Sequence, residues 1–567
     1  MFWQATTSYE FGPFRVDGRE RRLLRDGQDV PLTPKVFDVL LVLVKNSGRI
    51  VSKDDVMELV WPNTAVEEGN VARNISTLRK ALGEGPNERN YVETIPWRGY
   101  RFVANVRTVP DRFADSTIDS IAVLPFVDEA SEPEAEYLAD GIAESLINHL
   151  SHLPDLRVMS RNSAFRYKGR EKDPQAVGRE LNVQAVLLGR ISVRDELLSI
   201  SVELIDARDN SHLWGAQYGR KLAGIITLHE TIAREIAKNL RPHLTGEERQ
   251  RRRKTQTENG QAYEDYLKGR YYFNKLTPDG VQKGIEYLQR AIERDENYAL
   301  AYTSLGDCYT YQGKAEANAA FVRALELDQT LGEAHASLGF YKFLYDWDWQ
   351  GAENEFRQAV ELSPNYAEAH HWYAIYLANL GRHDEARREA ERARERDSLS
   401  LLINMTPGLA AYLARRYDDA IKAFHKVIEM EPNFMSARSM LGHAYEQKGM
   451  YEQALAEYQK VLEMFGENAQ VKGSINALRA RAYAAWGKSD EATDLMQVLE
   501  QDESPTSYLM AHVYAALGEK DKAFAALDKA LAERHIQMVC LKADPALDSL
   551  REDQRFQTLI RRMGLPQ

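Results

Sequence analysis

The chain has 567 residues, of which 44% are hydrophobic and 28% charged, a composition that excludes the disordered, collagen-like and membrane-embedded classes. Its longest apolar stretch, residues 36–44, is broken by Asp38 and is far shorter than the ~20 residues of a membrane span. The N-terminus lacks the pattern of a secretory signal. The net charge is −12, although residues 1–110 hold 16 Lys+Arg against 14 Asp+Glu. We therefore expect a cytoplasmic protein with no membrane contact, whose N-terminal part is suited to nucleic acid.

The N-terminal region begins with short strand-like runs and continues into helices. Asp17-Gly18 and Asp26-Gly27 are turn signals between these runs and predict a small antiparallel sheet. Thr33, followed by proline, is a capping residue for a first helix that ends on Gly48. Ser52 is the cap of a second helix, whose first turn is acidic, as the helix dipole favours.

A third helix is predicted from about residue 67 to residue 82. Its apolar residues recur at intervals of four, three and four and are expected to face the core: Val71, Ile75, Leu78 and Leu82. The opposite side is polar and basic and has no carboxylate: Asn70, Arg73, Thr77 and Lys80, with Asn74 on its flank. An ordinary solvated helix face normally carries both signs of charge, so this surface favours contact with DNA.

A terminal hairpin follows the third helix. Residues 91–106 form two strand-like runs joined by a tight turn at 96–99, which places Arg98 at the tip. A sheet, three helices and this hairpin predict a winged helix-turn-helix, whose third helix enters the major groove.

This geometry assigns a role to each polar residue of the third helix and of the hairpin. The Arg73 side chain can donate to guanine, and Asn70 or Asn74 can bond adenine. Lys80 and Arg98 are placed for phosphates or the adjacent minor groove.

The segments LTPKVFDVLLVLVKNSGRIVSKDDVMELVW, NVARNISTLRKALG and GYRF resemble the DNA-binding domain of OmpR/PhoB response regulators over some 95 residues. The resemblance implies that the side chains at five helix positions face DNA: Asn70, Arg73, Asn74, Thr77 and Arg79. It also implies that Trp61 lies against the DNA backbone. Arg79, however, falls beside the predicted core face, and we expect a backbone or structural role for it.

Two features depart from that family. The turn Pro96-Trp97-Arg98-Gly99 replaces the usual wing sequence. The chain also begins with the winged helix, so no phosphoacceptor receiver domain is expected before it.

Residues 119–244 alternate strand-like and helical runs, which predicts an α/β domain. IAVLPF, EYLADGIAESLINHLSHL and LIDARDNSHLWGAQY resemble the TolB-N-terminal-like domain. No phosphate-binding loop, GxSxG motif or metal-ligand spacing occurs there. We therefore expect no catalytic residue, no cofactor and no metal, and hence no enzyme.

The segment 245–260 is a basic linker, with Arg249, Arg251, Arg252, Arg253 and Lys254 beside two glutamates. A solvated linker explains this run better than a DNA contact, which is kept as a secondary interpretation.

Beyond residue 261 small residues recur with a period near 34: Gly269, Gly306, Gly339, Ala374, Gly408, Gly442, Ala480 and Ala511. This period resembles the tetratricopeptide (TPR) family and predicts about eight helix pairs, closed by a capping helix near 551–565. Such an array suits a protein partner, RNA polymerase among them. Trp347, Trp349 and Trp372 are either ligand anchors or, more commonly at such spacings, packing residues.

The sequence thus predicts a multidomain chain: a winged helix-turn-helix (α+β, 1–108), a central α/β domain (119–244) and an all-α TPR superhelix (261–567). This order resembles regulators of the HilA and CadC kind, which implies binding of double-stranded DNA on direct repeats, with homo-oligomers formed there. The alternative is a TPR scaffold whose winged helix binds protein. An enzyme centred on the middle domain lacks a catalytic constellation.

Overall fold

The fold is taken from a computed structural model of the chain. It describes residues 8–566 except for 18–21, 26–27, 62–67, 84–89, 110–117, 129–135, 152, 154–155, 171–172, 195–196, 222–230, 234, 237–256 and 501–505. The chain divides into two units, Met1–Thr117 and Ile118–Gln567. Several predicted features fall outside the described residues: Gly18, the turn Asp26-Gly27, the basic run from Arg249 to Lys254, and most of a helix expected at 228–240.

The described residues of the first unit form eight strands and three helices. The strands are β1 Ser8–Phe11, β2 Phe14–Asp17, β3 Arg22–Arg25, β4 Gln28–Val30, β5 Ile50–Val51, β6 Val92–Ile95, β7 Gly99–Phe102 and β8 Arg107–Val109. The helices are α1 Pro34–Lys45, α2 Lys53–Val60 and α3 Glu68–Ala81.

The strands form two sheets, of order β4-β3-β2-β1-β8 and β5-β7-β6. The predicted small sheet is therefore present, and β8 completes it by pairing with β1, a partner about 100 residues away in sequence.

Local capping chemistry sets the first two helices. Ser52 accepts a hydrogen bond from the Asp55 amide, and Asp55 bonds back to it, which forms a capping box at the start of α2. Thr33 occupies the N-cap position of α1 but makes no side-chain cap bond, so Pro34 is the main start signal there. Helix α1 ends at Lys45, three residues before the predicted Gly48, because Asn46 caps its last turn.

The second unit starts with a mixed sheet of order β11-β9-β12-β13-β14, with β10 paired to β12. Its strands are β9 Ser120–Val123, β10 Val127–Asp128, β11 Arg157–Val158, β12 Ala185–Arg194, β13 Leu197–Asp206 and β14 Ser211–Lys221. Its helices are α4 Glu136–Ser151, α5 Arg161–Ala164 and α6 Pro174–Leu181. Pairing is parallel around β9 and antiparallel from β12 to β14, so the predicted α/β domain is present.

Eight helix pairs follow within the described residues from 257 onward. They are α7 Gly260–Phe273 with α8 Pro278–Arg294, α9 Ala299–Tyr311 with α10 Glu316–Leu327, α11 Gly332–Tyr341 with α12 Trp349–Leu362, α13 Ala367–Asn379 with α14 His383–Arg396, α15 Leu401–Leu413 with α16 Tyr417–Met430, α17 Met435–Gln447 with α18 Tyr451–Phe465, α19 Ala469–Ala485 with α20 Ser489–Leu499, and α21 Ser507–Ala516 with α22 Lys520–Ala532. The chain closes with 3₁₀ turns at Ile536–Cys540 and Pro545–Leu550 and helix α23 Gln554–Arg562.

The small residues identified in the sequence lie where paired helices cross. A Cβ on Gly306 would come within 2.5 Å of the Phe321 ring, and one on Gly442 within 2.4 Å of Tyr458. These repeats therefore need their small residue so that an aromatic ring of the second helix can pack against the first.

Candidate nucleic-acid interface

Helix α3 packs between α1 and α2 through its apolar side. The four residues predicted to face the core are each at most 2% exposed: Val71, Ile75, Leu78 and Leu82. They belong to the core that is formed by α1 and the two sheets. The opposite side of α3 is thereby fixed toward solvent.

That outward side carries the polar residues proposed for base contacts. Asn70, Arg73, Thr77 and Lys80 are exposed, while Asn74 is half-buried. The Thr77 hydroxyl donates to the Arg73 carbonyl at 3.0 Å, and the Asn74 amide donates to the Asn70 carbonyl at 2.8 Å. These two side chains are thus held by their own helix, and Asn74 must exchange a bond to reach a base.

Arg79 joins α3 to the wing hairpin. Its Nε and Nη2 donate to the Val92 carbonyl at 3.2 and 2.9 Å, and Nη2 also donates to the Thr94 hydroxyl at 2.8 Å. Arg79 therefore makes the structural contacts that were expected of it, and its contact with DNA, implied by the family resemblance, stays a prediction.

The wing is a two-stranded hairpin, as predicted, closed by a bond from the Arg98 amide to the Ile95 carbonyl at 3.0 Å. Arg98 is exposed beside the tip. Gly99 has φ +126°, and a Cβ there would lie 2.1 Å from the Val51 carbonyl oxygen, so this position requires glycine.

Trp97 is an exposed wing residue that the sequence analysis did not name as a candidate site residue. It lies at the wing tip in the left-handed region, with φ 64°, and its side chain is fully exposed at 103%. A bulky aromatic residue within a tight turn, where glycine or asparagine is usual, was the available signal.

Trp61 occupies the C-cap position of α2 and is half-buried against the core of the first unit. The Lys35 ammonium lies 5.6 Å from its ring centroid and donates to the Val60 carbonyl at 2.6 Å. Lys35 and Trp61 therefore lie side by side. They form a basic and aromatic surface in addition to the one that Trp97 and Arg98 form at the wing tip.

The three tryptophans considered as ligand anchors in the repeats are packing residues. The Trp349 indole donates to the Met563 carbonyl at 2.9 Å, and Trp372 stacks on Phe340 with ring centroids 5.0 Å apart. The Arg534 guanidinium lies 5.1 Å from the Trp347 ring centroid.

The C-terminal segment also packs on the first helices of the later repeats. Asp544 Oδ2 accepts from the Tyr508 hydroxyl at 3.1 Å and lies 3.1 Å from His512 Nε2. Burial opposes ionisation of Asp544, but His512 outweighs it and holds the pKa of that carboxyl well below its usual value. The C-terminal segment therefore covers part of α21, the first helix of the last repeat.

These elements define a class of protein: a winged-helix, DNA-binding transcription regulator that carries a TPR module. Residues 27–102 match the family model "Transcriptional regulatory protein, C terminal", and residues 116–222 match "HilA/YgeH-like transcriptional regulator, second domain". Tetratricopeptide-repeat models match residues 355–388, 411–482 and 504–533.

Curated relatives agree with this class for parts of the chain. The transcriptional regulator HilA of Salmonella typhimurium is 24% identical over 415 residues, 70% of this chain and 72% of HilA. The transcriptional activator CadC of Escherichia coli is 30% identical over 96 residues, 17% of this chain and 19% of CadC. A putative adenylate cyclase 3 of Rhizobium meliloti is 36% identical over 186 residues, 33% of this chain; the match spans only 32% of that cyclase.

Among solved structures, the DNA-binding domain of Escherichia coli CadC is 28% identical to this chain. The match covers 18% of this chain and 97% of that domain, with a TM-score of 0.17. No helix in the described part of the chain is long and apolar enough to cross a membrane.

Proposed function

We propose that the protein regulates transcription by binding promoter DNA through residues 1–108, with the 119–244 and 261–567 domains as its input. One observation carries the proposal: residues 69–81 of α3 present an exposed polar and basic surface without a carboxylate, beside a hairpin with Arg98 near its tip. A helix of this kind fits the major groove, and a neighbouring hairpin reaches the backbone or the minor groove. Promoter DNA lies in the bacterial cytoplasm, so the proposal carries that location with it.

Each site residue has an assigned role. Arg73, Asn70, Asn74 and Thr77 read base edges, with Arg73 donating to guanine. Lys80 and Arg98 contact phosphates, which supply affinity without sequence information. Trp61 lies against the DNA backbone with Lys35 beside it, and Arg79 sets the angle of the wing relative to α3. We assign no residue to catalysis and propose no enzymatic activity.

The test begins with selection of duplexes from a random pool by the full chain, at low salt. Affinity for the selected site should fall steeply as salt rises, because bound Lys and Arg side chains release counterions. Arg73→Ala should cost about 1–3 kcal/mol on that site and relax sequence preference, whereas Lys80→Ala should weaken all sequences alike.

The matched control is Arg15→Ala, which removes an exposed arginine from β2 of the N-terminal sheet and leaves α3 and the wing unchanged. Its affinity should equal that of the parent chain. Absence of duplex binding at low salt would instead favour a TPR scaffold whose winged helix binds protein. Unchanged sequence preference in Arg73→Ala would refute the groove orientation.

The proposal includes two further partners. Relatives of the HilA kind and the helix-pair array support a protein partner for the repeats, with RNA polymerase the first to test by crosslinking on the selected promoter. Head-to-tail binding of two copies on direct repeats is the second, and the stoichiometry of complexes on one and on two half-sites measures it.

A further inference from the structure

A cavity of about 520 Å³ lies inside the second unit, between the middle α/β domain and the first repeats. One wall comes from α4 and the residues around the start of α5, and the other from α7, α9, α11 and the start of α13. Its volume falls within the ~300–1,000 Å³ of small-molecule sites, which occur preferentially where domains meet.

Hydrogen bonds between the domains hold the two walls in place. The Tyr263 hydroxyl donates to Ser145 Oγ at 3.2 Å, and the Asn365 amide donates to the Leu153 carbonyl at 3.1 Å. Ser160 and Ser163 both donate to Asp397. The cavity is therefore preformed, so a ligand need not order its walls on binding.

Both arginines that line the cavity are ion-paired with Glu144, and Arg270 also lies 3.7 Å from Asp307. Glu144, 8% exposed, accepts from Arg161 Nε at 3.0 Å, from Arg270 Nε at 2.9 Å and from the Asn274 amide at 3.0 Å. Burial opposes ionisation of Glu144, but Arg270 and Arg161 outweigh it and hold the pKa of that carboxyl below its usual value. Pairing with Glu144 and Asp307 offsets the charge of these guanidinium groups, which makes the cavity less suited to an anionic ligand.

The repeat-side wall is acidic. Asp307, Glu333 and Glu368 line it from the first helices of three consecutive repeats. Asp307 lies 3.7 Å from Arg270, and burial raises the pKa of its carboxyl to about 6.

Glu368 is the carboxylate with the least compensation. No side chain in the described part of the chain donates a hydrogen bond to it or forms an ion pair with it. Burial, and then the neighbouring Asp397, raise the pKa of Glu368 to about 7. A half-buried carboxylate without a side-chain partner loses hydration, and a cationic group in the cavity would offset that loss.

We infer that this cavity binds a small organic molecule carrying an ammonium or guanidinium group, with Asp307, Glu333 and Glu368 as the acidic acceptors. Tyr266 and Tyr366 add aromatic rings to the lining, a common partner of such cations. A metal ion fits less well, because no three potential ligands among the described residues converge on one point. Since both domains supply walls, the ligand would couple the middle domain to the repeats.

Calorimetric titration of the full chain tests this inference. The probes are Nα-acetyl-argininamide and Nα-acetyl-lysinamide, whose α-amine is blocked, each with an isostere that lacks the side-chain charge, Nα-acetyl-citrullinamide and Nα-acetyl-norleucinamide. At least one cationic probe should bind, and its isostere should bind at least tenfold more weakly. Glu368→Gln and Asp307→Asn, which keep the side-chain shape, should each weaken the cationic probe about tenfold.

The matched control is Glu452→Gln, an exposed glutamate on α18 outside the cavity, and it should leave the affinity unchanged. Circular dichroism verifies that each variant is folded. Equal binding of a probe and its isostere, or no binding of either cationic probe to the parent chain at 10 mM, would overturn the inference. Binding that survives both cavity substitutions would overturn it as well, by placing the probe elsewhere.

Discussion

Arg79 faces the wing hairpin rather than solvent, and its place on α3 explains why. It follows the buried Leu78 directly, so its guanidinium emerges at the edge of the core face, close to Val92 and Thr94. The helical period of α3 predicted this position from the sequence alone. The bond partners of Arg79 on β6, and those of Asn74 and Thr77 on the helix backbone, were not predictable, because helical periodicity gives direction but not distance.

Replacing Arg79 tests this link between helix and wing. Arg79→Ala leaves the Val92 carbonyl without its charged donor, and we expect the first unit to lose about 1–3 kcal/mol of stability. Hydrogen exchange at β6 and β7 should accelerate more than exchange in α1. Lys80→Ala, one position further and exposed, should change stability by no more than about 0.5 kcal/mol. Equal effects of both substitutions would contradict the link.

The raised pKa of Glu368 predicts that the stability of the protein depends on pH. Its folded pKa of about 7 lies above the ordinary carboxyl value of 4.5, so the folded state binds its proton more tightly than the unfolded state does. Its destabilising effect is therefore absent below pH 4.5, grows from there to pH 7 and stays constant above. We expect Glu368→Gln to raise the melting temperature at pH 8 and to leave it nearly unchanged at pH 4.5. An equal shift at both pH values would mean that the carboxylate is compensated.

At the scale of elements, local chemistry gave the reliable predictions. The apolar period of α3, the Ser52 cap and the Pro96–Gly99 turn all act within a few residues, and each predicted element is present. The pairing of β8 with β1 and the two 3₁₀ turns near the C-terminus were missed. They depend on contacts between distant segments, which leave no period or cap in the sequence.

The wing depends on the absence of a side chain at Gly99. In Gly99→Ala the new Cβ would meet the Val51 carbonyl at 2.1 Å, and we expect a loss of about 3 kcal/mol or more. Gly48→Ala is the matched control: φ is also positive there, at +81°, but nothing lies within 4 Å of the added Cβ, so the cost should be about 1 kcal/mol. Hydrogen exchange of the buried α1 amides measures both. Similar losses would show that backbone conformation, rather than the clash, sets the cost.

Replacing Trp97 is expected to have opposite effects on stability and on DNA binding. Because it is fully exposed and holds a left-handed φ of 64°, Trp97→Gly loses no burial and removes about 1 kcal/mol of backbone strain. The first unit should therefore be as stable or slightly more stable, while affinity for the selected duplex should fall about tenfold. Trp97→Asn, which also tolerates this φ, should bind as weakly as the glycine variant. Undiminished affinity in both would exclude the wing tip from the interface.

At the scale of the whole molecule, the repeats do not form a simple linear stack. Residues of the third repeat, Phe343 and Trp349, belong to one core with Phe556 and Met563 of the C-terminal segment. The period of 34 residues predicted the number of pairs and the place of each crossing. It could not predict a contact across 214 residues, because a repeat pattern records only what neighbouring units share.

The shared core predicts that a substitution in the C-terminal segment also destabilises the third repeat. Phe556 is 2% exposed in α23, so Phe556→Ala should cost about 3–5 kcal/mol locally. In a linear array the effect would stay within the last repeats, whereas here hydrogen exchange should also accelerate at Phe343 and Trp349. Val281→Ala, equally buried but in the first pair, is the control and should leave exchange in α23 unchanged. The C-terminal segment packs on the third repeat as well as on the last one. Acceleration confined to residues beyond 507 would therefore show that the C-terminal segment and the third repeat are energetically independent.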